Sequence, residues 1–355
     1  MHISHESNTN YTKIAHQTVT LMCLIAMLSC TQTLSKRGAS KTNQTYQSSQ
    51  SNQAQKKSLI PSLKMPNMTE VSAFFGSYVY ESPSPETEHP FPSPGMITIN
   101  NIEGNITITG WQKDTVQLKT VKTSSDKRNL QSMFIQENSA HKDGQSHLSL
   151  TSTYQGKGTK GAIHYELQVP LQTSLKIRTG TGEVNIRNVQ GKILGQTGKG
   201  PIIVQGTKGT LLLQTEKRGD ITATNIVGEM KTITHRGSII IRNASNSVIA
   251  SADRGKIDVS FERLPETARV ELHSAQGNVN IALPSTTNAH IYGHTKRGIL
   301  TSNHYIALRP HTTQLNKAAW EHFKKEVEGT IGTGEADIKV TSTHGNINIL
   351  DTTSA

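Results

Sequence analysis

The chain has 355 residues, of which only 33% are hydrophobic and 5% aromatic, against roughly 45–50% apolar residues in ordinary globular chains by a slightly different count that includes Gly. That excludes a large compact core built on Phe, Tyr and Trp. Twelve prolines beside 28 glycines exclude collagen, two cysteines exclude a disulfide scaffold or a cysteine-based zinc module, and a formal net charge of +11 favours an anionic partner or surface.

Lys13 precedes a continuous apolar run from Leu21 to Leu28, and Ser29-Cys30 follow at once. The run falls far short of the roughly 20 residues needed to span a bilayer and fits the core of a secretory signal peptide over 1–29. Its end, Met27-Leu28-Ser29-Cys30, resembles a bacterial lipobox, although Met27 and Leu28 stand where Leu and a small residue are usual. Cleavage before Cys30 leaves one cysteine in the mature chain, and lipid on it removes the need for a disulfide partner. The alternative is a plain secreted protein cut nearby.

Residues 30–72 form a basic tether rich in Ser, Gln, Asn, Thr and Lys, too poor in apolar residues to offset its ordering entropy, and so expected to be disordered. Phe74, Phe75, Tyr78 and Tyr80, followed by the Pro-rich stretch Pro83 to Pro94, make 73–94 a lead-in to folded structure.

From Gly95 the chain repeats: Gly, any residue, apolar, any residue, apolar. Examples are Gly104-Asn-Ile-Thr-Ile, Gly182-Glu-Val-Asn-Ile, Gly200-Pro-Ile-Ile-Val, Gly237-Ser-Ile-Ile-Ile, Gly255-Lys-Ile-Asp-Val, Gly277-Asn-Val-Asn-Ile and Gly345-Asn-Ile-Asn-Ile. From Gly182 to Gly255 the unit recurs every nine or ten residues. Alternation over about five residues is the strand period, and glycine marks a turn needing positive φ or close backbone approach. Asn-Gly and Asp-Gly hairpin signals are nearly absent from the array. The expectation is therefore an all-β fold, a β-solenoid with two short strands per coil of about 18–19 residues. Its interior of Ile, Val and Leu ladders accounts for the scarcity of aromatics, and stacked coil interfaces carry the stability.

This pattern resembles the DUF4097 family, bacterial envelope proteins with Gly-x-Val-x-Val repeats, over residues 95–350. The motifs that carry the likeness include Gly104-Asn-Ile-Thr-Ile-Thr-Gly-Trp111, Tyr165-Glu-Leu-Gln-Val-Pro170, Gly334-Glu-Ala-Asp-Ile-Lys-Val and Gly345-Asn-Ile-Asn-Ile. The resemblance implies a β-solenoid with no established enzymatic activity and a family name that points to adhesion. One departure stands out. In 313–329, Leu315, Ala319, Phe323 and Val327 fall at i+4 steps and predict a short amphipathic helix docked over an end or flank.

No phosphate loop, Gly-x-Ser-x-Gly elbow or His-Glu-x-x-His motif occurs, so no catalytic residues, metal ligands or cofactors are assigned. The 15 histidines are scattered, with His2, His5 and His16 in the signal segment. The acids Asp220, Glu229, Asp253, Asp258, Glu262 and Glu271 lie in the solenoid, and only Asp253 and Glu271 are expected to share a register one coil apart. Arg218-Gly219-Asp220 spells an integrin-type tripeptide inside a regular repeat, where each residue has a structural role.

One pattern rises above the scaffold. At every second register position the residue before the glycine is Lys199, Arg218, Arg236, Arg254 and, after an irregular stretch, Arg297. The other corner carries Gln190, Lys208, Val227 and Ser245, with no such bias. At a strand spacing of roughly 4.8 Å, the first four cations make an edge about 15 Å long. Such an edge suits an acidic glycan, lipopolysaccharide or another polyanion, unless it is merely a column of solvated charges. The reading is a non-enzymatic lipoprotein of the bacterial envelope, at the outer membrane or cell surface, held to the membrane through Cys30 and serving as an adhesin or structural binding module. An envelope-stress sensor and a carbohydrate-active β-helix enzyme are the alternatives.

Overall fold

The computed structural model describes residues 79–142, 144–156, 158–309 and 324–352. The signal segment, Cys30, the tether over 30–72, the first residues of the 73–94 lead-in and residues 310–323 lie outside the described residues. Among those described, two sheets of 13 strands each face one another, and the fold is the expected all-β solenoid.

The regular coils run as strand pairs, one strand in each sheet: Ile193–Lys199 with Ile202–Lys208, Leu211–Arg218 with Ile221–Val227, Met230–Arg236 with Ile239–Ala244, and Val248–Arg254 with Ile257–Phe261. Successive coils pair in parallel, so Ile193, Leu211, Met230, Val248 and Val270 stack in one sheet. Ile202, Ile221, Ile239, Ile257 and Val279 stack in the other. Alternation buries every second side chain, and nearly all of these ladder residues have no accessible surface.

Stacking does not follow chain order at either end. Strand Gly95–Glu103 lies between Thr173–Thr181 and Gln145–Tyr154. The last coil, Ala336–His344 with Ile347–Asp351, lies between Arg269–Gln276 with Val279–Leu283 and the later-placed Ala289–Arg297 with Leu300–Ser302. The physical reason at the second site is self-recognition of like motifs. Gly345-Asn-Ile-Asn-Ile docks on Gly277-Asn-Val-Asn-Ile, Asn346 N–H donates to Asn278 Oδ1 at 2.9 Å, and Asn348 Nδ2 donates to Asn280 Oδ1 at 2.6 Å. The ends carry antiparallel strands: Met133–Lys142 closes one sheet at the first end, and the Pro-rich lead-in adds Tyr80–Pro83 and Thr87–Pro90 against Thr115–Ser124.

Two expectations are corrected. The C-terminal part of the helix expected over 313–329 is strand: Glu326–Ile331 pairs antiparallel with Ala289–Arg297, and residues 310–323 lie outside the described residues. Val327 and Ile331 are buried on alternate positions with Gly329 between them, so the two-residue period of a pleated surface overrides the i+4 coincidence at Val327. Asp253 and Glu271 do not share a register, because Glu271 sits beside Ile249. The loop after Phe261 lengthens that coil and shifts the count.

Candidate functional site

The corner that joins the two sheets is built around a glycine column. Gly104, Gly182, Gly200, Gly219, Gly237, Gly255, Gly277, Gly345 and Gly298 stack in that order, each backbone pressed on the carbonyl of the one before. Their amides are tied in the same way: Gly219 N–H donates to Arg236 O, Gly237 N–H to Arg254 O and Gly255 N–H to Gln276 O, each at 2.9 Å.

Inside this corner runs a ladder of buried hydroxyls that sequence reasoning missed. Thr197, Thr215, Thr234, Ser274, Ser342 and Thr295 are all fully or nearly buried. Thr234 Oγ1 donates to Gly219 O at 3.0 Å, Ser274 Oγ to Gly255 O at 2.9 Å and Thr295 Oγ1 to Gly345 O at 2.8 Å. Buried polar groups need such partners, and the hydroxyls satisfy glycine carbonyls that close packing has removed from water. The signal was present as Thr or Ser three residues before most of these glycines, as in Thr234-His-Arg-Gly237. At the first end the ladder continues as Asn101, Ser152 and Tyr165, with Ser152 Oγ 2.7 Å from both Asn101 Oδ1 and Tyr165 Oη. Burial pushes the Tyr165 phenol up to about 12. This network is closed on itself and presents nothing to a ligand.

Outside the same corner stand the cations. Lys199 pairs in register with Arg218 and Arg236 with Arg254, and the column then passes through Gln276 and His344 before reaching Arg297. Thus four cations are consecutive, while Arg297 is separated from them by two coils. All five side chains are exposed, and among the described residues none makes an ion pair. The opposite corner holds Gln190, Lys208 and Val227 in one column, as the repeat predicts.

The column is a groove at one point. Between Thr197 and Lys199 on one strand and Thr215 and Arg218 on the next, the register shifts by one residue. This bulge sets Glu216 and Lys217 opposite Gly198, immediately before the Lys199–Arg218 rung. Lys199, Pro201, Lys217, Arg218, Asp220 and Arg236 line an open cavity of about 770 Å³. Lys217 was not among the expected site residues, yet the step from Gly200 to Gly219 is one residue longer than its neighbours, which was the available clue.

Most of the solenoid acids are held by local partners. Asp220 Oδ1 accepts from Ser238 N–H at 2.7 Å, clamping one coil to the next. That is the structural role of the third residue in Arg218-Gly219-Asp220. Asp253 Oδ2 lies 2.5 Å from His235 Nδ1, Asp258 Oδ2 lies 2.8 Å from Lys256 Nζ, and Glu271 pairs with Arg269. Glu229 and Glu262 are exposed. Among the described residues no group of His, Cys, Asp and Glu is arranged to hold a metal ion.

The model of the Toastrack DUF4097 family matches residues 193–350. No curated protein matches the chain. Among solved structures, one from Clostridium sporogenes described as a "putative cell adhesion protein" is similar over 76% of this chain and 100% of its own, at 12% identity and a TM-score of 0.25. Another from Bacteroides fragilis, described as a "putative adhesin", is similar over 77% of this chain and 97% of its own, at 15% identity and a TM-score of 0.41. Neither likeness bears on what this chain binds. The repeat, its register and the family model coincide over residues 193–350, and over that stretch the chain is similar to the Toastrack DUF4097 family.

Proposed function

We propose that the protein is a non-enzymatic binding module of the bacterial envelope, exported and lipid-anchored through Cys30, that holds a linear acidic glycan along the cationic corner of its solenoid. The observation that carries this reading is the run of four consecutive exposed cations with no ion-pair partner among the described residues, on a continuous backbone ladder. Arg grips carboxylate, sulfate or phosphate with two hydrogen bonds. A row fixed by strand spacing presents its charges at a constant interval, so an extended anionic chain loses little of the fit to protein motion.

Changing Arg218, Arg236 and Arg254 together to Gln should weaken binding to heparin. It should also flatten the dependence of log affinity on log salt by about one unit per cation engaged, by analogy with phosphate contacts. Lys41, Lys56 and Lys57 changed to Gln in the tether provide the charge-matched control. A corner variant that binds as wild type does, while the tether variant loses binding, would show the column to be a solvated edge.

The anchor has its own test. Cys30→Ala is expected to release the protein from membrane fractions or to block signal cleavage. Mature Cys30→Ala protein that stays with the membrane after a high-salt wash would overturn lipidation at Cys30.

A further inference from the structure

Resting on the reading of this corner as an anion site, we infer that its centre is the groove at the Lys217 bulge and that its ligand is an acidic oligosaccharide, selected because Asp220 requires a hydroxyl donor. Four cations, Lys199, Lys217, Arg218 and Arg236, converge on one cavity of about 770 Å³. Arg254 and Arg297 belong to the same column but do not line it. The bulge concentrates charge locally: it sets Glu216 and Lys217 opposite Gly198, just before the Lys199–Arg218 rung, and both Lys217 and Arg218 line the cavity. The cavity has room for a short run of sugars bearing carboxylate or sulfate groups, whereas an unbroken polymer along the whole edge would meet Gln276 where the cations stop.

Asp220 sets the ligand class. Its carboxylate lines the same cavity, one oxygen is fixed by Ser238 N–H at 2.7 Å, and the other has no partner among the described residues. A carboxylate among four cations repels a ligand that carries only anionic oxygens, such as polyphosphate. It accepts a hydrogen bond from a ligand that alternates anionic groups with hydroxyls, and a charged acceptor strengthens that bond. The acid is not demanded by the fold. Asn105, Asn278 and Asn346 occupy the equivalent place after the corner glycine and make the same coil-to-coil bond through Oδ1.

The test uses the full chain, a short oligogalacturonate, long polygalacturonate and linear polyphosphate. Lys217→Gln is expected to weaken the short oligogalacturonate about five-fold, the effect of one well-placed surface charge pair. Arg254→Gln combined with Arg297→Gln should change the short ligand less than two-fold while weakening the long polymer. Asp220→Asn keeps the bond from Ser238, so it should leave the melting temperature unchanged, weaken the oligogalacturonate and strengthen polyphosphate.

Equal losses of the short ligand in the Lys217 and the Arg254/Arg297 variants would overturn the groove and leave the cationic edge standing. If Asp220→Asn strengthened both ligands alike, selection for hydroxyls would be wrong. If none of these variants, nor the triple arginine variant, altered binding of any of the three ligands, the anion-site reading would fail along with the groove.

Discussion

Gly255→Ala is expected to destabilise the solenoid by about 3 kcal/mol or more, the sum of backbone strain and forced overlap. Gly255 has φ +152°, a conformation that residues with a Cβ rarely adopt. A Cβ built there stands 1.9 Å from the carbonyl oxygen of Gly237, which is backbone and cannot rotate away. Relief requires the two coils to separate, and separation lengthens the Gly237 N–H to Arg254 O bond and its neighbours on the same corner. The comparison is Gly206→Asn. Gly206 has φ +62° and stacks in a column with Asn188, Asn225 and Asn243, which all have φ of 55–56°. Asn243 Nδ2 already donates to Asn225 Oδ1 at 2.8 Å. Because Asn tolerates the left-handed region, this second variant should melt within about 0.5 kcal/mol of wild type, the usual range for surface changes. Denaturant melts of the two variants decide the matter. A Gly255→Ala protein as stable as Gly206→Asn would mean that the coils are not in contact at this corner.

The interior ladders give the other large effect. Ile239 and Ile241 are 0% and 1% exposed. Ile239 is registered with Ile221 and Ile257, and Ile241 with Ala223 and Val259. Truncating either to Ala removes buried methyl groups from a site that rigid ladders above and below keep from collapsing, at a cost of about 2–5 kcal/mol each. Ile240, on the outer face of the same strand and only half-buried, should cost less than its neighbours when changed to Ala. A solenoid couples each coil to the next, so Ile239→Ala should also speed amide exchange in Ile221–Val227 and Ile257–Phe261. If Ile240→Ala proved the most damaging of the three, the strand would be facing the other way. Unmoved melting in both Ile239→Ala and Ile241→Ala would refute the register altogether.

The pattern of residues was sufficient for much of this. Gly237-Ser-Ile-Ile-Ile and its relatives announce a strand, a buried face and a turn because alternation and glycine spacing are local quantities. A repeat multiplies the same local statement until the coil length follows. The corner cations were legible for the same reason: residues one coil apart in a regular array are neighbours in space, so counting alone puts Arg236 beside Arg254.

Counting fails where regularity does. The loop after Phe261 broke the count for Asp253 and Glu271, and Val327 satisfied a helical period by chance while its tertiary partner was a strand. Residues 336–351 insert one coil earlier than chain order implies, which adds His344 to Gln276 between Arg254 and Arg297. Sequence alone therefore determined the strands, their inward faces, the coil length and the cationic column, since each depends on residues a fixed distance apart. Only the tertiary structure decided which coil stacks on which, where a one-residue bulge gathers Lys217 and Arg218 into a groove, and which carboxylates are already engaged. Those outcomes depend on competition between distant segments for the same backbone ladder, and no local spacing records who wins it.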